Sequence, residues 1–185
     1  MIHSKKSHLG GHENVTHLDE GAFSYLLETF KPQTFLDIGC GPGGMLEIAK
    51  NNGVSCLGID GDMSLFKTWQ SKNIVGVCND YSESGIITGF FDLCWSVEFF
   101  EHIEELYLVN VFRTLKNCKV ICMTHALPGK NGHHHVNCRT EDYWIDMFKK
   151  YDFSLCEYAT REVRQCSTMK REFMRETGKV FINEN

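Results

Sequence analysis

The chain has 185 residues, enough for one ordinary domain with a real core but short for two. Its 42% hydrophobic and 23% charged residues are the composition of a soluble globular protein, and no apolar run approaches the roughly 18 residues that a membrane span needs. A net charge of −5, with one basic cluster ("REVRQCSTMKREFMR") that is interleaved with acids, argues against a phosphate-facing nucleic-acid surface.

The N-terminal "MIHSKKSHLGGHENV" carries basic residues with no apolar stretch behind them, so it does not read as a secretory leader, and a cytoplasmic location is expected. Residues 1–17, which include His8, His12 and His17, form a polar segment that is either flexible and solvated or a lid. A single domain is expected over 18–185. The helical stripe Phe23, Leu26, Leu27 and Phe30 is ended by Lys31-Pro32. "TFLDI" (34–38) reads as a buried strand and is followed by a glycine cluster, the helix "MLEIAKNN" (45–52) and the strand "VSCLGID" (54–60). "MSLFKTWQSK" (63–72) reads as helix, "IVGVC" (74–78) and "FDLCWSV" (91–97) as strands, and Leu108, Val111, Phe112 and Leu115 as another helical stripe. "KVICMTHA" (119–126) reads as strand, and Trp144, Met147, Phe148 and Tyr151 mark a helix with acids at its start and lysines at its end. The tail gives a strand over 153–159, a polar helix to about Thr177 and a strand over 179–183.

Strands alternating with helices imply a mostly parallel sheet covered on both faces, with ligands at the carboxyl ends of the strands where the strand order reverses. Five of the nine cysteines (Cys56, Cys78, Cys94, Cys118, Cys122) fall in or beside strand-like runs and no CxxC pair occurs, so reduced thiols are expected.

"FLDIGCGPGG" carries the strongest signal. Gly39, Gly41 and Gly44 satisfy GxGxxG between a strand and a helix, a pattern that nicotinamide-dinucleotide proteins share. Asp37, two residues before the first glycine, discriminates: a carboxylate there repels a pyrophosphate and suits a cationic ligand. The segment resembles the first motif of the class I S-adenosylmethionine-dependent methyltransferases, here Asp37, Gly39, Gly41 and Gly43. The resemblance extends through about Phe35 to Ile103. It implies that Asp60 binds the ribose hydroxyls with Gly61, Asp62 and Met63 as its flank, and that Asp80 with Tyr81 lies on the adenine side. It also implies that "FDLCWSVEFFEHI" is the fourth motif, with Ser96, Val97 and Glu98 at the strand mouth and His102 one helical turn beyond Glu98. Without a ligand, Glu98 and Glu101 read as acids in the first turn of a helix. The fold implied is a Rossmann-like α/β domain, a mostly parallel seven-stranded sheet with the last strand antiparallel and helices on both faces.

Methyl transfer to a hydroxyl needs the acceptor held in line and relieved of its proton. The nitrogen-methylating signature of Asn or Asp with two prolines, the Pro-Cys nucleophile of cytosine C5 enzymes and the central lysine of RNA 2′-hydroxyl enzymes are all missing, which makes nucleic acid the less expected acceptor. That leaves a small molecule, a sugar or glycan, or a protein side chain; a hydroxyl of a small molecule or sugar is the expectation adopted. Two alternatives remain open: a non-catalytic cofactor-binding partner subunit, and an NAD-dependent oxidoreductase, for which the chain is short. The oligomeric state is not legible.

The segment after the fifth strand, "THALPGKNGHHHVNC", lies at the acceptor side of such a sheet. His125 ends the strand, and His125, His134 and His102 are the candidate catalytic bases, since an imidazole near pKa about 6.5 is suited to take a hydroxyl proton. His133, His135 and Cys138, with His125, offer metal donors, but their spacing is not a recognised zinc pattern and no metal ligand is assigned.

Overall fold

A computed structural model describes residues 8–185; residues 1–7 of the N-terminal segment lie outside the described residues. The chain runs α1 (Glu20–Phe30), β1 (Thr34–Ile38), α2 (Gly44–Asn51), β2 (Ser55–Asp60), α3 (Phe66–Ser71), β3 (Gly76–Cys78), β4 (Phe91–Ser96), α4 (Leu108–Leu115), β5 (Cys118–Met123), α5 (Glu141–Lys149), β6 (Phe153–Leu155), α6 (Glu157–Cys166), α7 (Phe173–Thr177) and β7 (Lys179–Asn183). Short 3-10 turns cover Met63–Leu65, Phe100–His102 and Glu105–Tyr107. The seven strands lie in the order β3-β2-β1-β4-β5-β7-β6, and β7 runs antiparallel to both of its neighbours.

The period of two along each strand sorts its side chains to two faces. Phe35, Leu93, Trp95, Val120, Cys122 and Val180 pack with α1, α2 and α6 on one face. Leu36, Ile38, Cys94, Ile121, Met123 and Phe181 pack with α4 and α5 on the other. These strands therefore read as nearly continuous apolar runs, as strands buried on both faces must. All nine cysteines are free thiols; Cys94, Cys118 and Cys122 are buried, while Cys78, on the edge strand β3, is exposed.

The chain leaves the sheet centre at β1, builds outward through β2 and β3, and returns to place β4 on the other side of β1. The crevice of the sheet is thus between the carboxyl ends of β1 and β4. No described helix is long and apolar enough to cross a membrane.

Several boundaries differ from the sequence reading. The strand expected over 153–159 stops at Leu155, because Cys156 precedes α6 and its N–H is taken by the Val180 carbonyl. The polar helix expected to reach Thr177 breaks at Ser167. There the buried carboxylate of Asp19 captures the chain: Oδ2 accepts from Ser167 Oγ at 2.6 Å and Oδ1 from the Thr168 N–H at 2.9 Å. The same Oδ1 accepts from the Ala22 N–H at 3.1 Å, capping α1. β5 ends at Met123, so His125 follows the strand rather than ending it.

Since one buried carboxylate caps α1 and fixes the loop after α6, Asp19→Ala should cost about 2–4 kcal/mol. Urea unfolding at neutral pH measures this; a loss within experimental error of zero would show that the three hydrogen bonds contribute nothing net.

Candidate active site

A cavity of about 530 Å³ opens at the carboxyl ends of β1 and β4, within the range of small-molecule sites. Its floor is the glycine loop. Gly39 has φ +76°, and a Cβ there would meet the Phe99 ring at 2.8 Å, so the bare backbone is what lets the β4 segment close on the loop. Gly43, at φ +85°, is the N-cap of α2 and would strike Ile74 at 2.4 Å. The loop is pinned from below by Trp69, whose Nε1–H donates to the Gly41 carbonyl at 2.8 Å.

Asp60 ends β2 with both oxygens oriented by backbone: Oδ2 accepts from the Gly41 N–H and Oδ1 from the Asp62 N–H, each at 2.9 Å. Each carboxylate oxygen keeps a second lone pair for a diol donor. Asp80, beyond β3, accepts at Oδ1 from Ser82 N–H at 2.9 Å and from Ser82 Oγ at 2.6 Å, and its Oδ2 meets His8 Nε2 at 3.0 Å. Asp37 is almost fully buried, and burial, then the charge of Asp60, holds its carboxyl well above the usual carboxylate range. Burial raises Asp60 as well. Two buried acids at one end of a cavity lower their energy when a cationic group enters, and a sulfonium cofactor with an amino-acid tail is such a group. The residues present fit that ligand.

Residues 8–17 lie over this end of the cavity. His12 Nε2 meets Asp62 Oδ2 at 3.2 Å, Thr16 Oγ1 accepts the Gly44 N–H at 3.1 Å, and Leu9 covers Gly61. The described part of the polar segment is therefore packed, not merely solvated.

The other end of the cavity is built by the chain after β4 and β5. Glu98 adopts φ +54°, a left-handed conformation that costs of order 1–3 kcal/mol for a residue with a Cβ, and its N–H donates to Thr124 Oγ1 at 2.9 Å. Glu98 lies before the helical turn rather than in its first turn, whereas Glu101 is in the first turn of the 3-10 helix Phe100–His102 and is fully buried. Burial raises the Glu98 carboxyl to about 7, and burial, then the facing Glu98, holds Glu101 well above the usual range. His125 is 1% exposed, packs on Trp144 with ring centroids 6.0 Å apart, and among the described residues has no side-chain hydrogen-bond partner at either ring nitrogen. Burial, then the charge of Lys179, lowers its pKa to about 4.

Of the residues singled out in the sequence, Asp37, Gly39, Gly41, Asp60, Gly61, Asp80, Tyr81, Val97, Glu98, His102 and His125 line the one cavity. Gly43 and Asp62 stand behind it, the latter accepting from the Ser64 N–H at 2.9 Å. Ser96 is buried in the sheet with its hydroxyl on the Ile38 carbonyl, and Met63 is 72% exposed, because the 3-10 turn it starts faces solvent. His134 does not line the cavity: it has φ +48°, is half-buried, and its ring sits 5.6 Å from that of His8. The sequence reading did not name Phe99, took Glu101 only as a helix-starting acid, and had His135 among the loop histidines weighed as metal donors. The pairing of Glu101 with His102 in "FFEHI" was the available signal, overlooked because an acid there also reads as a helix-starting residue.

Residues 36–122 match the model of a family described as a methyltransferase domain. The fold is similar to solved structures across nearly the whole chain. Magnesium protoporphyrin IX methyltransferase from Synechocystis PCC 6803, with bound S-adenosylmethionine, superposes with a TM-score of 0.63 at 12% identity, covering 88% of this chain and 75% of that one. The plantazolicin methyltransferase BpumL with S-adenosylhomocysteine gives 0.59 at 17%, covering 89% and 82%. A TehB-like S-adenosylmethionine-dependent methyltransferase from Corynebacterium glutamicum ATCC 13032 gives 0.65 at 17%, covering 90% and 89%.

Because an ionised Asp37 costs stability in the empty protein and gains a partner when a cation binds, Asp37→Asn should act in opposite directions. Since burial disfavours a charged carboxyl at this position, the variant is expected to melt higher at pH 7. It should bind S-adenosylmethionine at least about tenfold more weakly. Calorimetry of both transitions checks the pair, and a variant that is both less stable and equally tight would contradict it.

Proposed function

We propose that this chain, a class I S-adenosylmethionine-dependent methyltransferase, methylates a hydroxyl of a small molecule or sugar. With the enzyme class fixed, the nicotinamide alternative falls away. The observation that carries the hydroxyl reading is His125: a buried imidazole with no side-chain hydrogen-bond partner among the described residues, lining the same cavity as Asp37 and Asp60. A hydroxyl is the acceptor that needs such a proton-accepting group. The cavity volume, which both cofactor and acceptor must share, favours a small reacting end.

S-adenosylmethionine, when bound, supplies a methyl group on a positively charged sulfur. Asp37 with the loop Gly39, Gly41 and Gly43 holds the methionine end, Asp60 the ribose, and Asp80 with Tyr81 the adenine side. Residues 8–17 act as a lid that excludes water over the ribose. His125 orients the acceptor hydroxyl and takes its proton while the oxygen's electron pair forms the new O–C bond. The S–C bond breaks in the same step and its pair stays on sulfur.

Asp60→Ala should weaken S-adenosylhomocysteine binding at least about tenfold, whereas His125→Gln should leave that binding intact and slow turnover by about 10²-fold or more. Isothermal titration and single-turnover assays against a panel of hydroxyl compounds separate the two effects. Binding without transfer to any acceptor would instead favour the partner-subunit alternative.

The pH dependence follows from the sign of the His125 shift. The base works when neutral, and a pKa lowered to about 4 keeps it neutral well below the ordinary imidazole value. The acid limb of kcat/KM should therefore lie near pH 4 to 5 rather than near about 6.5. A limb at the ordinary imidazole value would rule out His125 as the base.

A further inference from the structure

The turn Phe100–His102 and the histidine loop are stapled to each other by backbone. The N–H groups of Val136 and Asn137 both donate to the Glu101 carbonyl, at 2.9 and 3.0 Å, and Asn137 Nδ2 donates to the Ile103 carbonyl at 3.0 Å. This brings the His135 ring edge-on to that of His102, with centroids 5.0 Å apart. The Glu101 side chain completes the group: one donor atom from each of Glu101, His102 and His135 lies within 4.8 Å of the others.

Three features point to a ligand rather than to packing. Glu101 is 0% exposed, and among the described residues its carboxylate meets no donor beyond its own backbone N–H and the facing carboxyl of Glu98. Buried carboxylates in native proteins are satisfied by donors or by cations. His135 Nδ1 lies 3.2 Å from the Lys130 carbonyl, an N–H···O contact that leaves the Nε2 lone pair available, as is usual in metal-ligating histidines. Gly132 makes room for that ring: a Cβ there would sit 2.1 Å from His135 Nε2. The nearby guanidinium of Arg139 is engaged by Glu105 and Asn137 and does not serve Glu101.

We propose that Glu101, His102 and His135 hold one divalent transition-metal cation, which presents open coordination positions to the acceptor oxygen. Two imidazoles and one carboxylate suit Mn²⁺, Fe²⁺, Co²⁺ or Zn²⁺ better than Mg²⁺ or Ca²⁺, which prefer oxygen donors. Three protein ligands leave room for water or substrate, the arrangement of catalytic rather than structural sites. His102 and His135 line the same cavity as the glycine loop and His125. The inference deepens the hydroxyl-acceptor reading and rests on it for its chemical purpose. A cation on the acceptor oxygen lowers the hydroxyl pKa, so that the weakly basic His125 suffices to take its proton. The ion set differs from the His133, His135, Cys138 and His125 spacing considered in the sequence: His133 is exposed and His125 lies against Trp144.

The test is metal binding by the full chain, read by Co²⁺ visible absorption and by equilibrium dialysis with Mn²⁺, Zn²⁺ and Mg²⁺. One transition-metal ion per chain is expected, with Mg²⁺ weaker. His135→Ala should weaken it at least tenfold while S-adenosylhomocysteine affinity stays within twofold. Gly132→Ala, which keeps every donor but displaces the His135 ring, should weaken it in the same direction; it also covers the case in which Glu101→Gln, a core substitution, fails to fold. Absence of saturable binding by any of the ions, or binding unchanged in both His135→Ala and Gly132→Ala, would overturn the site. If S-adenosylhomocysteine binds and no metal does, this inference fails and the methyltransferase assignment stands. If the metal binds as expected and no hydroxyl compound is methylated, the metal site stands and the hydroxyl reading fails.

Discussion

The parallel pairing of β1 with β4 is the contact on which the site depends. Phe35, Leu36 and Asp37 stand in register with Leu93, Cys94 and Trp95, although more than fifty residues separate the two strands. That register sets the glycine loop beside the turn after Ser96, and the Ser96 hydroxyl extends the clasp by donating to the Ile38 carbonyl. Phe99 can then lie against Gly39, where any side chain on the loop would have collided with it. The cofactor end and the acceptor end of the cavity are in this sense one construction: the first is the carboxyl edge of β1 and β2, the second the carboxyl edge of β4 and β5.

The two ends differ in how they are electrically prepared. At the glycine loop, buried acids are left short of positive charge, and their carboxyls are pushed up by burial and by each other. At the acceptor end, burial acts on the opposite kind of group and pushes the His125 imidazole down. Both shifts have the same cause, the cost of charge away from water. The first favours a cation, and the second keeps a base unprotonated across the neutral range. Backbone strain at Glu98 sits at the junction of the two ends, where the chain leaves β4 and must turn back toward the cavity.

The sheet and the cofactor end were legible in the sequence because both are local signals. Strands buried on two faces read as apolar runs, and Asp37, Gly39, Gly41 and Asp60 sit at strand termini, where the chain's own direction places them. The weaker readings came where a distant contact overrode the local pattern. The helix expected through Thr177 was broken by Asp19, nearly 150 residues away. His134 looked equal to its neighbours in "HHH", yet it packs beside His8 from the N-terminal segment and not among the residues lining the cavity. Glu101 carried an acid's ordinary preference for a helix start, and its burial came from the histidine loop folding over it.

By itself, then, the sequence determined the alternation of strands and helices, the order of the motifs and the chemistry of the loop after β1, since these rest on residue type and spacing within one or two elements. Only the tertiary structure decided which histidines face the cavity, that residues 8–17 pack over the end of it at Gly44, Gly61 and Asp62, and that Glu101, His102 and His135 converge. Those facts depend on side-chain direction and on hydrogen bonds between segments far apart in the chain, such as the Glu101 carbonyl receiving Val136 and Asn137. No periodicity encodes them, because the partner that fixes each one lies in another part of the fold.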